Sequence, residues 1–135
     1  MNVLVDTSVW SHAFRRARPP AHSSVNELQE LIREGRAQIM GLIRQELLSG
    51  VRNSVQFESL KLHLRPFRDL ALVTEDHEEA ASFFNRCRTH GIQGSTIDFL
   101  ICAAAARRDL SIFTTDHDFS NYARVLPIQL HAARA

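Results

Sequence analysis

The chain has 135 residues, enough to bury a core without disulfides or a structural metal, so a single domain over residues 1–135 is expected. With 44% hydrophobic and 23% charged residues and a net charge of only +1, the composition excludes a disordered chain and a bilayer-embedded one. It also excludes a molecule that attracts polyanions by its overall charge, so any nucleic-acid affinity must be local.

Met1 leads directly into Val3-Leu4-Val5-Asp6, with no basic or apolar leader, and no apolar run could span a bilayer. A cytoplasmic protein without membrane contact is expected. Cys87 and Cys102 lie in separate helical segments and lack paired ligand spacing, which points to core thiols rather than a disulfide or a zinc site. Fifteen of the sixteen basic residues are Arg, whose planar fork grips phosphate bidentately, though genomic base composition produces the same bias.

Along the chain, apolar runs alternate with helical patterns, the signature of an α/β fold with a mostly parallel sheet covered by helices. Residues 2 to 5 form a first strand, and a short helix runs from Thr7 to about Phe14 before Arg18-Pro19-Pro20 breaks it. Ser23 or Ser24 caps a helix whose stripe is Val25, Leu28, Leu31 and Ile32, ending at Gly35. Ala37 to Met40 reads as a buried strand. Helices over 42–48 and 55–64 follow, the second stopped by Pro66, and then a short strand over 71–73. Thr74-Glu75-Asp76-His77 opens a helix that reaches His90 before Gly91 ends it. A helix over 95–108, a strand over 110–115, a short helix over 118–124 and an edge strand over 128–130 complete the pattern.

Four carboxylates fall where such a sheet gathers them: Asp6 after the first strand, Glu46 and Asp98 early in helices, and Asp116 after the strand that ends in Thr114-Thr115. In open parallel sheets the ligand crevice lies beyond the carboxyl ends of the strands. Acids converging there repel one another unless something positive sits between them. An all-oxygen cluster suits magnesium or manganese better than zinc, and such a site fits phosphodiester chemistry. Taken singly, Asp6, Asp98 and Asp116 also sit where helix caps belong, and Ser95-Thr96-Ile97-Asp98 fits a capping box. Glu46 resists that explanation, because at about 100° per residue it falls inside the apolar stripe of Leu42, Ile43 and Leu47. Asp98 lies in a helix that is apolar nearly all round. Both therefore need a partner, either an Arg or a metal.

The opening Val-Leu-Val-Asp6-Thr7-Ser8, the Glu46 helix, the Asp98 helix with its Ala-rich continuation, and Thr114-Thr115-Asp116-His117-Asp118-Phe119 together resemble a PIN domain. The resemblance spans Asp6 to Phe119, and within it the Asp-Thr-Ser start and Thr-x-Asp-x-Asp-Phe ending are similar to VapC-type toxins of toxin-antitoxin pairs. It implies a three-layer α/β/α fold and a Mg2+- or Mn2+-dependent endoribonuclease, silenced by an antitoxin and homodimeric. Asp6, Glu46, Asp98 and Asp116 become the acidic quartet, with Thr114, and also Ser8, at hydroxyl positions that support the metal or its water. Asp118 either assists a second metal or caps the last helix opposite Thr115, and the cap is preferred. His12 and His117 lie near the site and receive no role.

Binding features are fewer. Arg15, Arg16 and Arg18 either hold RNA phosphates or belong to a solvated loop. Trp10, Phe14 and Phe57 either stack on bases or, as their helical spacing favours, serve as core or partner groove. A phosphoaspartyl enzyme would also place Asp6 after the first strand, but the sole lysine, Lys61, lies mid-helix, and Ser8 stands where a phosphatase would carry a second Asp. A housekeeping RNA-processing nuclease and an inactive PIN-like binding module are the remaining alternatives; the full set of acids disfavours the second.

Overall fold

Val3, Leu4 and Val5 are all fully buried, and a strand without a solvent face must pair along both edges. In the computed structural model, which describes residues 1–14 and 23–134, they form β1 (Val3–Val5) at the centre of a parallel sheet. Its neighbours are β2 (Ala37–Gln38) and β3 (Ser111–Phe113), in the order β2-β1-β3. Single parallel bridges extend the sheet at each side, Ile39 to Asp69 and Ile112 to Leu130. Arg15, Arg16, Arg18 and the Pro19-Pro20 breaker lie outside the described residues.

Seven helices are described: α1 (Thr7–Phe14), α2 (Ser23–Arg33), α3 (Gly41–Leu48), α4 (Ser54–Leu64), α5 (Thr74–Thr89), α6 (Thr96–Arg107) and α7 (Asp118–Ala123). They cover the parallel sheet as the alternating pattern predicts, in the three-layer α/β/α arrangement that the resemblance implies. As expected from its composition, α6 is buried continuously from Phe99 to Ala105, between β3 and α5. Its small Ala face lets α5 approach closely, and burial keeps both thiols, Cys87 on α5 and Cys102 on α6, free and pushes them up in pKa. Among the described residues no helix is long and apolar enough to cross a membrane.

The strands over 71–73 and 128–130 do not form as ladders. Sheet pairing occurs instead at residues 69 and 70, where the Leu70 N–H donates to the Ile39 carbonyl at 2.9 Å. Beyond that point side chains compete for the backbone: the Ala71 carbonyl accepts from Arg108 at 3.0 Å, and the Val73 N–H donates to Asp76 at 2.8 Å. Near the C-terminus the Ile128 N–H turns back to the Leu126 carbonyl, leaving only the Leu130 bridge. The strand over 110–115 is shortened too, since the Leu110 N–H closes α6 on the Ala105 carbonyl and the Thr115 N–H goes to Ser8 Oγ.

Asp76 carries the strongest ion-pair cluster among the described residues. Fully buried, it accepts from Arg107 at 2.9 Å and from Arg108 at 2.7 and 2.8 Å, tying the start of α5 to the end of α6. Arg108 foremost holds its carboxyl well below the usual carboxylate range. A depressed pKa contributes stability above the ordinary value and loses it as pH falls through the folded one. Asp76→Ala should therefore lower stability by about 2 kcal/mol at neutral pH, because it removes the shared acceptor of two partly exposed guanidinium groups and of the Val73 N–H. In urea titrations the deficit relative to the parent should shrink toward strongly acidic pH; a constant deficit would show that packing, not charge, is at stake.

Candidate functional site

Two of the three strands, β1 and β3, each lead into an acid at their carboxyl ends. Asp6 follows β1 directly, its N–H donating to the Phe113 carbonyl at 2.8 Å, so the two strand ends are locked side by side. Its Oδ2 accepts from Ser8 Oγ at 2.9 Å and from Thr114 Oγ1 at 2.8 Å, across 108 residues of sequence. Burial pushes the Asp6 carboxyl up, against the lowering effect of Thr114, Ser8 and nearby backbone N–H groups. Thr114 Oγ1 also accepts the Asp116 N–H at 3.0 Å, and Asp116 Oδ1 accepts the Asp118 N–H at 2.9 Å. A single hydroxyl thus registers Asp6 against Asp116.

Glu46, half-buried on α3, accepts from Thr7 Oγ1 at 2.6 Å. Arg44 of the same helix fixes α3 in place by donating to Asp69 at 3.0 Å, to the Leu64 carbonyl at 2.9 Å and to the Phe67 carbonyl. Asp98 lies in the first turn of α6, where the capping hydroxyl of Ser95 accepts its N–H at 3.0 Å. Its Oδ2 accepts from the Tyr122 phenol at 2.6 Å. Burial first, and then the charges of Asp6 and Asp116, push the Asp98 carboxyl up. The same burial and the Asp98 acceptor push the Tyr122 phenol up, so it stays a donor.

Among the described residues none of Asp6, Glu46, Asp98, Asp116 or Asp118 is ion-paired. Their partners are hydroxyl and backbone N–H groups, which orient a carboxylate without cancelling its charge. Oxygens of Asp98, Asp116 and Asp118 lie within 4.8 Å of one another. This span suits ligands around one hard cation, and an all-oxygen, negatively charged, partly desolvated donor set fits magnesium or manganese. Among the described residues no arginine pairs with Glu46 or Asp98.

The structure revises the reading of Asp118 as a cap. A box with Thr115 would use the Thr115 N–H, which Ser8 Oγ takes at 3.1 Å; α7 begins at Asp118 itself, and its carboxylate faces the cluster. Trp10 is fully buried, donates to the Val5 carbonyl at 3.0 Å and packs edge-on against Phe67, which removes it as a base-stacking platform. His117 is exposed and makes no capping bond through its side chain.

Thr7, Tyr122 and Gly94 escaped the sequence reading. The available signals were the position of Thr7 beside Asp6 and the spacing of Tyr122 one helical turn after Asp118.

A search of curated proteins found no match. The chain is similar to several solved structures: FitAcB from Neisseria gonorrhoeae (23% identity, 97% of each chain covered, TM-score 0.78) and VapBC2 from Rickettsia felis bound to a promoter DNA fragment (16%, 97% and 98%, 0.76). VapBC-1 from nontypeable Haemophilus influenzae is a third (14%, 97% of each chain, 0.74). At such identities these likenesses speak to the fold alone. The family model described as the PIN domain matches residues 3–125, nearly the whole chain: this protein belongs to the PIN domain family.

Proposed function

We propose that this chain is a single-domain, Mg2+- or Mn2+-dependent endoribonuclease and the VapC-type toxin of a cytoplasmic toxin-antitoxin pair, acting as a homodimer. The observation that supports the nuclease reading is the cluster of Asp98, Asp116 and Asp118 at the carboxyl edge of the sheet, with Asp6, Glu46 and Asp98 each held by a hydroxyl. Asp6, Asp98 and Asp116 would hold the metal, with Glu46 directly or through water. When bound, a divalent cation lowers the pKa of water and offsets charge growing on the phosphoryl oxygens. Thr114 and Ser8 keep Asp6 in one rotamer, and Thr7 does the same for Glu46. Asp118, which shares the cluster, adds a further oxygen. Attack of water at phosphorus with departure of the 3′ oxygen leaves a 3′-hydroxyl and a 5′-phosphate, and the chain needs no nucleophile of its own.

The toxin reading is supported by similarity to structures described as VapBC complexes and to one described as a toxin-antitoxin complex from Klebsiella pneumoniae, and by an apolar surface that wants a partner. Val55 and Leu62, 76% and 64% exposed, lie two turns apart on one side of α4 and form its outward apolar face; half-buried Phe57, on the other side, lines a separate groove with Arg44 and Leu48 of α3. An amphipathic antitoxin segment would cover such a face, and an Arg from it would suit the clustered carboxylates. Expressed alone, the protein should arrest growth and leave RNA fragments with 5′-phosphate ends. Coexpressed with its upstream neighbour it should purify as an inactive complex. Harmless expression of the folded, metal-binding chain, with no copurifying neighbour, would overturn the toxin reading and leave the nuclease.

A further inference from the structure

The Tyr122 ring is entirely buried, wedged against Phe99 of α6 (centroids 5.0 Å apart) and Phe119 of its own helix (5.1 Å). Nothing apolar requires a hydroxyl there, and a buried phenol needs a partner. Its partner is Asp98 Oδ2 at 2.6 Å. The seat for the ring is made by Gly94, one residue before the cap of α6. A Cβ built on Gly94 would lie 2.4 Å from the phenol oxygen and 2.8 Å from two ring carbons, so any side chain at 94 would expel the hydroxyl.

The same short helix carries two groups that meet α6. Asp118 opens α7, and Tyr122 follows one turn later on the same side. Oxygens of Asp98, Asp116 and Asp118 lie close enough to repel strongly. Without a tie, Asp98 would relieve that repulsion by rotating toward solvent, and α7 would drift from α6. With Oδ2 engaged by Tyr122, the carboxylate keeps one rotamer and retains its other oxygen for an ion.

We infer that Tyr122 is a positioning residue for the metal centre, holding Asp98 in its ligand rotamer and α7 at the spacing one divalent cation requires, and that Gly94 is the space this tie depends on. The inference rests on the metal-dependent reading of the site proposed above. Partners of metal-binding side chains are commonly worth 10- to 100-fold in metal affinity.

The test is a manganese titration of the purified chain, with no RNA present, followed by calorimetry or by the electron paramagnetic resonance signal of free Mn2+. Tyr122→Phe keeps the ring and its packing and loses only the hydroxyl. It should melt close to the parent and bind Mn2+ about tenfold more weakly. Gly94→Ala should weaken binding comparably by displacing the phenol, and the double variant should bind no more weakly than the worse single one, since both changes break one hydrogen bond. Additive losses, or Mn2+ affinity within about twofold of the parent in a folded Tyr122→Phe, would overturn the positioning role and leave the metal site standing. A parent chain that binds no Mn2+ would overturn the metal reading and this inference together.

Discussion

Asp6→Asn, Asp98→Asn and Asp116→Asn should each lower RNA cleavage by at least about a thousandfold, roughly 4 kcal/mol of transition-state stabilisation, while leaving the fold intact. Asn preserves the shape of each side chain and an oxygen that accepts the observed hydrogen bonds, so Thr114, Ser8 and Tyr122 keep their partners. What is lost is charge at the metal. For Asp6 and Asp98 the metal-free stability should hold or rise. Burial has pushed both carboxyls up, and a raised pKa contributes stability only below the ordinary value, losing it as pH rises through the folded one. At neutral pH, removing either charge therefore relieves the metal-free fold, and the relief should fade as the solution is made acidic. Cleavage assays and thermal melts on the same preparations decide the matter. Full activity in all three variants would reduce these acids to helix caps, a role in which Asn serves about as well as Asp.

Metal removal should have an effect of similar size by a different route. A chelator should stop cleavage completely without unfolding the chain, because the core is apolar and the acids at its edge are held by hydroxyls of the chain itself. Manganese should restore activity at lower concentration than magnesium, following the usual order of divalent affinities at oxygen and nitrogen sites. Zinc should fail to restore it. It prefers nitrogen and sulfur in tetrahedral sites, whereas this cluster offers oxygen only. Robust cleavage in excess chelator would rule out the mechanism, and a large loss of helical signal on chelation would mean that the metal is structural instead.

The helices were legible because their boundaries are chemically marked. Gly35, Gly91 and Ser95 stop or start helices where the sequence reading placed them, and Gly35 and Gly91 adopt the positive φ that a C-terminal cap uses. Asp6 and Asp116 were legible for a related reason, since each follows a wholly buried run that can only be a central strand. The edge strands were not. Whether residues 71 to 73 join a sheet depends on two claims on their backbone, the local one of Asp76 on the Val73 N–H and the distant one of Arg108 on the Ala71 carbonyl, and no local pattern records the second. Asp118 was misread because a capping box is a pattern of spacing, while Ser8 takes the required N–H through tertiary contact. The Tyr122 contact to Asp98 crosses between helices that only the folded sheet brings together.

The bond from Thr114 to Asp6 spans 108 residues. β1 can pair with β2 early, but its other edge waits for β3, and the last acids of the pocket emerge after both. A product truncated anywhere before residue 114 therefore lacks the hydroxyl that registers Asp6 and carries no assembled cluster at all. The fold order acts as a timer. On the nuclease reading proposed above, cutting competence would arrive only once nearly the whole polypeptide has been made.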